Sequence, residues 1–169
     1  HTALTLATLL DDPNKVIKKL LDLGCDCDRE TLDGDMALRI AVNNNSLNAI
    51  AALLGRQTTQ KHVYASLICQ IAAGDEKYAE SIRKMLAFSG SVSCEKECSV
   101  QKQTALVCGC FSGHEENIQA LVESGANVDS FGSNGVVPIV AAIRAKRYSI
   151  MNYLVSKKCE MNMIPTAFE

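Results

Sequence analysis

Cysteine is the residue type in this chain with the most accessible reactive chemistry, and eight are present. Six of them form closely spaced pairs: Cys25 with Cys27, Cys94 with Cys98, and Cys108 with Cys110. None of these pairs has the doubled C-x-x-C spacing that characterises a zinc site. We therefore predict no metal site and no cofactor. The alternative is a metal or redox role for Cys94 and Cys98, although Glu95 and Glu97 would raise the pKa of those thiols.

A nucleophile paired with a base would be the signature of an enzyme, and none is evident. Ser81 and Lys84 match S-x-x-K, but they fall on a predicted packing helix without the companion motifs of that enzyme class. The histidines His1, His62 and His114 are far apart in the sequence. Phosphate-binding loops, H-E-x-x-H and G-x-S-x-G are all missing. We predict that the chain is not an enzyme.

The charge of the chain limits the classes of partner that it can bind. The formal net charge is −2, whereas binding to nucleic acid generally requires a basic face. The carboxyl-terminal part contains a basic cluster: Arg144, Lys146, Arg147, Lys157 and Lys158. We interpret it as a solvated surface, with a docking patch for an acidic peptide as the alternative.

We predict the cellular location from membrane-spanning and secretory segments, neither of which is visible in the sequence. No apolar stretch approaches the roughly 20 residues of a membrane span, and no secretory signal is visible. Free thiols are the rule in a reducing compartment. We expect a cytoplasmic protein without membrane insertion, and the nucleus remains an alternative.

The elements that position these residues recur with a period near 33 residues. One copy of the motif begins at Thr104 and the next at Val137, 33 residues later, while Thr2 and Met36 begin two earlier copies. One more copy, the third in chain order, lies around Leu67. The predicted repeats are 1–30, 31–62, 63–98, 99–131 and 132–163, together forming one domain over 1–169. Such a period is typical of stacked supersecondary units.

The repeat resembles that of the ankyrin family, whose pattern is D-x-x-G-x-T-P-L-H-x-A-A, then G-H, L-L and G-A-D-V-N. The match is most specific at Gly113-His114, followed by Gly125-Ala126-Asn127-Val128-Asp129. Only Pro138 keeps the proline of the pattern. Its histidine is replaced in every copy: by Thr5, Arg39, Gln70, Val107 and Val140. The resemblance implies an all-α solenoid of stacked helix–turn–helix units joined by short finger loops, and these replacements predict looser fingers.

The fourth copy gives the clearest expectation for one unit. The first helix is predicted at Ala105–Ser112 and the second at Glu116–Ser124. Ile118, Leu121 and Val122 of the second helix have the i, i+3, i+4 spacing of a buried face. Gly125 suits the left-handed residue that ends a helix.

Cysteines fit the same frame as small apolar residues. Cys110 replaces a packing alanine of the pattern, Cys25 and Cys159 take the alanine position after the helix-ending glycine, and Cys27 takes a buried valine position. The fifth copy lacks the polar outer face of a terminal repeat. We therefore expect a fragment of a longer chain, with the alternative that Ile164 and Phe168 fold back as a cap.

Function is implied by the resemblance, because ankyrin repeats usually bind partners on a concave face built from fingers and the ends of first helices. The corresponding finger residues are Asp35, Gln103, Ser133, Asn134 and Val136. The corresponding helix-end residues are Leu9, Leu10, Asn43, Asn44, Asp75, Phe111, Ser112 and Arg144. Leu9 and Phe111 stand out because they are apolar at variable surface positions.

Two functions follow from this placement. The first is a protein-interaction module, a scaffold or adaptor segment that binds a partner protein or peptide through these residues. The second is a structural or autoregulatory segment that docks against another domain of the same parent protein.

Overall fold

The computed structural model describes residues 1–10, 12–55, 61–89 and 102–157, and every regular element within these ranges is helical. The chain divides into two compact units, residues 1–61 and 62–169. The division falls where the second predicted repeat gives way to the third. The all-α prediction is confirmed.

The first unit contains two helix pairs. Helices α1 (Ala3–Ala7) and α2 (Pro13–Asp22) form the first pair, and α3 (Ala37–Asn43) and α4 (Leu47–Leu54) form the second. Each first helix packs on its own second helix, and α1 also packs on α3 while α2 packs on α4. Within this unit, the first helices therefore stack on each other, and so do the second helices. Residues 44–46 form the polar turn between α3 and α4.

The second unit repeats the arrangement three times. Its helices are α5 (Lys61–Ala72, starting at the unit boundary), α6 (Ala79–Ser89), α7 (Ala105–Ser112), α8 (Glu115–Glu123), α9 (Pro138–Arg144) and α10 (Tyr148–Ser156). A 3-10 turn at Glu76–Tyr78 precedes α6. First helix α9 packs on first helix α7, and second helix α8 packs on second helix α6.

The predicted bounds of the fourth repeat agree closely with the structure. Helix α7 has the expected limits, and α8 is displaced by one residue toward the amino terminus. Ile118 and Leu121 are fully buried, whereas Val122 is half-buried. Gly125 has the expected left-handed backbone, with φ of 92°.

Replacement of the pattern's histidine has different consequences in different repeats. In the first, Thr5 is fully buried and its hydroxyl donates to the Thr2 carbonyl over 2.8 Å. The same oxygen accepts the Thr2 N–H over 2.7 Å, while the Thr2 hydroxyl caps the Thr5 N–H. In the fourth, Val107 offers no such partner. The buried hydroxyl of Thr104 has no hydrogen bond within the described ranges.

A buried amide ties two successive repeats together in the second unit. Asn117 of α8 is fully buried, and its Nδ2 donates to the carbonyls of Ile71, Gly74 and Asp75 over 3.1–3.2 Å. These carbonyls belong to the end of α5 and the turn after it. This position of α8 thus faces the preceding repeat.

In three repeats the turn between the two helices contains one left-handed residue. Asn45, Gly113 and Lys146 occupy equivalent places in three repeats, with φ of 50°, 90° and 56°. Glycine adopts this conformation at no steric cost and asparagine tolerates it. Lysine has no such advantage, so Lys146 holds the repeat geometry at the expense of strain.

Finger loops share a local hydrogen-bond design. The Asp26 carboxylate accepts the N–H of Asp28 over 2.9 Å, and the Asn127 amide oxygen accepts the N–H of Asp129 over 3.0 Å. These residues are equivalent in the first and fourth repeats. Side chains of this type replace a backbone turn two residues ahead.

Cys110 packs in a helix as predicted. Cys69, Cys108 and Cys110 are buried. Burial, reinforced by neighbouring Cys108, raises the pKa of the Cys110 thiol far above its usual range. Cys27 was expected to be buried but is only half-buried, because its finger position is not enclosed by helices. Cys94, Cys98 and Cys159 lie outside the described residues, as do Ile164 and Phe168.

Candidate protein-interaction surface

Four repeats present one residue at the same place, at or just after the end of the first helix. We call this place the groove position, and its residues are Leu9, Asn43, Phe111 and Arg144. Leu9 is 56% exposed, and Asn43 and Arg144 are also exposed. Phe111 is half-buried. Three of these four residues are therefore exposed, whereas Phe111 is available only in part.

The residue after the groove position differs in its exposure from repeat to repeat. Leu10 is 49% exposed and Asn44 is exposed. Ser112 is half-buried, and its carbonyl accepts a hydrogen bond of 3.0 Å from the Arg147 guanidinium. In the first unit, packing of α1 on α3 brings Leu10 and Asn44 to the same end of neighbouring helices.

Predicted finger residues of the fifth repeat remain accessible. Ser133 and Asn134 are exposed. The Asn134 amide oxygen accepts the N–H of half-buried Val136 over 3.2 Å. This finger therefore presents a preformed polar tip.

The other predicted finger residues also have internal roles. Asp35 donates its N–H to the Thr31 hydroxyl over 3.1 Å, and its carboxylate lies 3.9 Å from the Arg39 guanidinium. Gln103 accepts thiol hydrogen bonds of 3.7 Å from Cys69, at its carbonyl, and from Cys108, at its side-chain oxygen. Both side chains are thus held in place, which favours a preorganised surface.

Asp75 combines exposure with an internal contact. Its side chain is exposed, with the carboxylate 3.7 Å from Lys77. Its main-chain carbonyl is one of the acceptors of Asn117. A substitution of the Asp75 side chain would leave that main-chain contact available.

Within each unit, helix packing determines which predicted residues lie together. In the first unit, stacking of α1 on α3 brings Leu9 and Asn43 to the same end. In the second, stacking of α7 on α9 does the same for Phe111 and Arg144. The candidate surface therefore consists of two strips. The first strip lies in the unit of residues 1–61 and contains Leu9 and Asn43. The second strip lies in the unit of residues 62–169 and contains Phe111 and Arg144.

Sequence reasoning missed an exposed leucine in the first strip. Leu32 is 103% exposed at the tip of the finger that contains Asp35. Its place is equivalent to that of Ser133, which is one of the predicted finger residues. Leu9 stands out in the sequence as an apolar residue at a variable surface position, and the same criterion identifies Leu32.

The basic cluster is largely exposed. Arg144, Lys146, Arg147 and Lys157 all present their side chains to solvent, and Lys158 lies outside the described residues. Lys157 Nζ lies 5.4 Å from the centre of the Tyr153 ring. Desolvation, with a smaller contribution from Glu123, raises the pKa of Tyr153, so this phenol is neutral near pH 7.

Asp26, Cys27 and Asp28 bring three potential ligand atoms within 4.8 Å of one another. The hydrogen bond between the Asp26 carboxylate and the Asp28 N–H accounts for this proximity. Because Asn127 and Asp129 build the same turn without a cysteine, the cluster is a consequence of finger geometry.

Comparison with known proteins agrees with the stacked helix pairs. A family model described as ankyrin repeats (3 copies) matches residues 68–164, more than half of the chain. The chain belongs to the ankyrin repeat family. Ankyrin repeats are a non-catalytic fold that generally mediates protein–protein interaction. Within the described ranges, no helix combines the length and apolar character needed to cross a bilayer.

A curated ankyrin protein is similar over most of the chain. The ankyrin repeat and KH domain-containing protein mask-1 of Caenorhabditis elegans is 28% identical over 164 residues, which cover 92% of this chain. The same alignment covers only 6% of the relative. The ankyrin array described here thus corresponds to a small part of that much longer protein.

Proposed function

We propose that this ankyrin array is a protein-interaction module, a scaffold or adaptor segment that binds a partner protein or peptide along the groove positions and finger tips. The observation that carries the proposal is exposure of Leu9, in a groove position that stays accessible in stacked repeats at Asn43 and Arg144. An apolar residue at an exposed, recurrent position is a favourable anchor for a partner.

The first strip supplies apolar contacts with polar neighbours. Leu9, Leu10 and Leu32 offer exposed apolar surface. The rim is polar, formed by Asn43, Asn44 and Asp35. Such a combination matches the apolar centre and polar rim of protein interfaces, so we assign the first strip to an apolar segment of the partner.

The second strip is more polar. It comprises Asp75, Gln103, Phe111, Ser112, Ser133, Asn134, Val136 and Arg144. Phe111 is half-buried, so its accessible edge contributes less area than a fully exposed aromatic ring would. We assign the second strip mainly to hydrogen bonding and to electrostatic steering by Arg144.

The proposal includes no catalysis, cofactor, metal or nucleic acid, and it places the protein in the cytoplasm or nucleus. Burial of Cys69, Cys108 and Cys110 supports a packing role for these thiols. Net charge of −2 disfavours a phosphate backbone as the ligand.

Affinity capture from cytosolic extract tests the proposal. The native chain is compared with Leu9→Glu, which probes the first strip, and Arg144→Glu, which probes the second. Leu23→Glu is the matched control because Leu23 is 74% exposed but follows the second helix α2 and belongs to neither strip. All variants must first show the melting temperature of the native chain.

A partner retained by the native chain and by Leu23→Glu, but lost from either strip variant, supports the proposal and identifies the strip used. Identical retention by all four proteins contradicts it. Changed activity or compactness of a longer parent chain in the strip variants, without loss of an external partner, would instead indicate autoregulatory docking.

A further inference from the structure

Exposed leucines of the first repeat fall into two classes when they are compared with equivalent residues. Leu9 occupies the groove position, which is accessible in stacked repeats. Leu6 occupies a different place, which we call the stacking position, equivalent to Ile40, Cys108 and Ala141. Leu6 is 52% exposed, whereas Ile40 is half-buried and Cys108 and Ala141 are 3% and 0% exposed. Exposure of Leu6 is therefore unusual for its place in the repeat.

The neighbouring residue on the same face behaves in the same way. Ala3 is exposed, whereas the equivalent Ala37, Ala105 and Pro138 are buried. In α9, Pro138 and Ala141 lie on a helix that packs on α7 of the preceding repeat. The face that these residues form is thus buried in α9 and partly covered in α3, two helices that pack on a preceding first helix.

The second helix provides an independent comparison. Val16 of α2 is equivalent to Asn117 of α8, and Val16 is 41% exposed while Asn117 is fully buried. Asn117 bonds the carbonyls of Ile71, Gly74 and Asp75, which belong to the preceding repeat. Val16 therefore occupies the place that contacts a preceding repeat, but carries an apolar side chain.

We propose that the face formed by Ala3, Leu6 and Val16 is an interface for a further ankyrin-type helix pair, which stacks on α1 and α2 as α7 stacks on α9. The face is apolar, whereas a repeat that ends an array usually turns a polar face to solvent. An apolar valine in place of the bonding asparagine fits contact with side chains of the added repeat rather than with its main-chain carbonyls.

The chain itself supplies the probe for this interface. Residues 103–135 form a complete repeat that already packs on a following one, through α7 on α9. Fusing a copy of 103–135 directly before His1 puts the copied repeat in register with Thr2. Amide hydrogen exchange in α1 and α2 is then compared between the fused and unfused chains.

We expect exchange in α1 and α2 to slow at least tenfold in the fused chain, because stacking couples opening of neighbouring repeats. Leu6→Glu with Val16→Glu should abolish that protection in the fused chain and leave the unfused chain's urea midpoint unchanged. Leu9→Glu is the matched control, and it should retain full protection.

Three outcomes would overturn the proposal. One is equal exchange in the fused and unfused chains. Another is full protection in the fused Leu6→Glu/Val16→Glu variant. The third is a fused repeat that adds no helical circular dichroism signal. Concentration-dependent dimerisation of the unfused chain that Leu6→Glu removes would assign the face to a second copy, and would also overturn it.

Discussion

The Asn117 side-chain amide donates to the main-chain carbonyl of Asp75 over 3.1 Å, joining the second helix of one repeat to the turn of the repeat before it. The same nitrogen also lies within hydrogen-bonding distance of two further carbonyls. One buried side chain thus supplies a donor to the Gly74 carbonyl and an additional donor to the carbonyls of Ile71 and Asp75, which also accept the N–H groups of Gly74 and Tyr78.

Asn117→Ala should destabilise the protein by about 2–3 kcal/mol, because the Gly74 carbonyl loses its donor and the carbonyls of Ile71 and Asp75 each lose one of two. Urea unfolding followed by circular dichroism measures the change. Glu116→Ala is the control on the same helix, since Glu116 is exposed, and it should stay within about 0.5 kcal/mol of the native chain. A loss below about 1 kcal/mol for Asn117→Ala would show that the turn finds other partners.

The same substitution should have opposite effects at the equivalent positions Thr2 and Thr104 of the first and fourth repeats. Thr2→Val should cost about 1 kcal/mol, because it removes the cap on α1 and the contact with Thr5. Thr104→Val should be neutral or stabilise by up to about 1 kcal/mol, because it removes a buried hydroxyl without a hydrogen bond in the described ranges. Equal losses in urea unfolding would contradict this difference.

The left-handed turn position predicts another contrast. Lys146→Gly should stabilise by up to about 1 kcal/mol, since relief of about 1–2 kcal/mol of strain exceeds the entropy cost of glycine. Gly113→Ala should destabilise by about 1–2 kcal/mol, because φ is 90° and the Arg147 side chain occupies the space of a Cβ. Thermal melts of both variants test the prediction, and a lowered melting temperature for Lys146→Gly would refute it.

The raised pKa of Cys110 makes stability depend on alkaline pH. In the folded state the thiol keeps its proton, while in the unfolded state it ionises above about pH 8.5. The folded state then binds more protons, so stability falls by about 1.4 kcal/mol per pH unit above that value and is unaffected by Cys110 below it. Urea unfolding from pH 7 to 10 should show a shallower decline for Cys110→Ala. Parallel curves would contradict the assignment.

The repeat frame was predictable because glycine and leucine positions recur at fixed spacing. Ala105–Ser112 was predicted with its observed limits, since Thr104 and Gly113 bracket the helix in sequence as in space. The two compact units were not predictable, because nothing in the repeat pattern distinguishes contacts within units from contacts between them.

Exposure was harder to predict than helix position. Leu9 and Arg144 were placed on the surface as expected, but Phe111 is half-buried. The buried fraction of a large aromatic ring depends on the side chains that pack beside it, and these come from residues far away in the sequence. Asn117 was also missed, because its role depends on carbonyls more than 40 residues away.

Gly132 lies against the main chain of the preceding finger, so closely that a Cβ would be 2.0 Å from the Lys102 carbonyl oxygen. The two fingers are consequently spaced by backbone thickness alone. A single added methyl group would have to widen that spacing, and with it the distance between the Gln103 and Val136 side chains. Gly132 therefore sets the closest distance at which these two fingers can lie side by side.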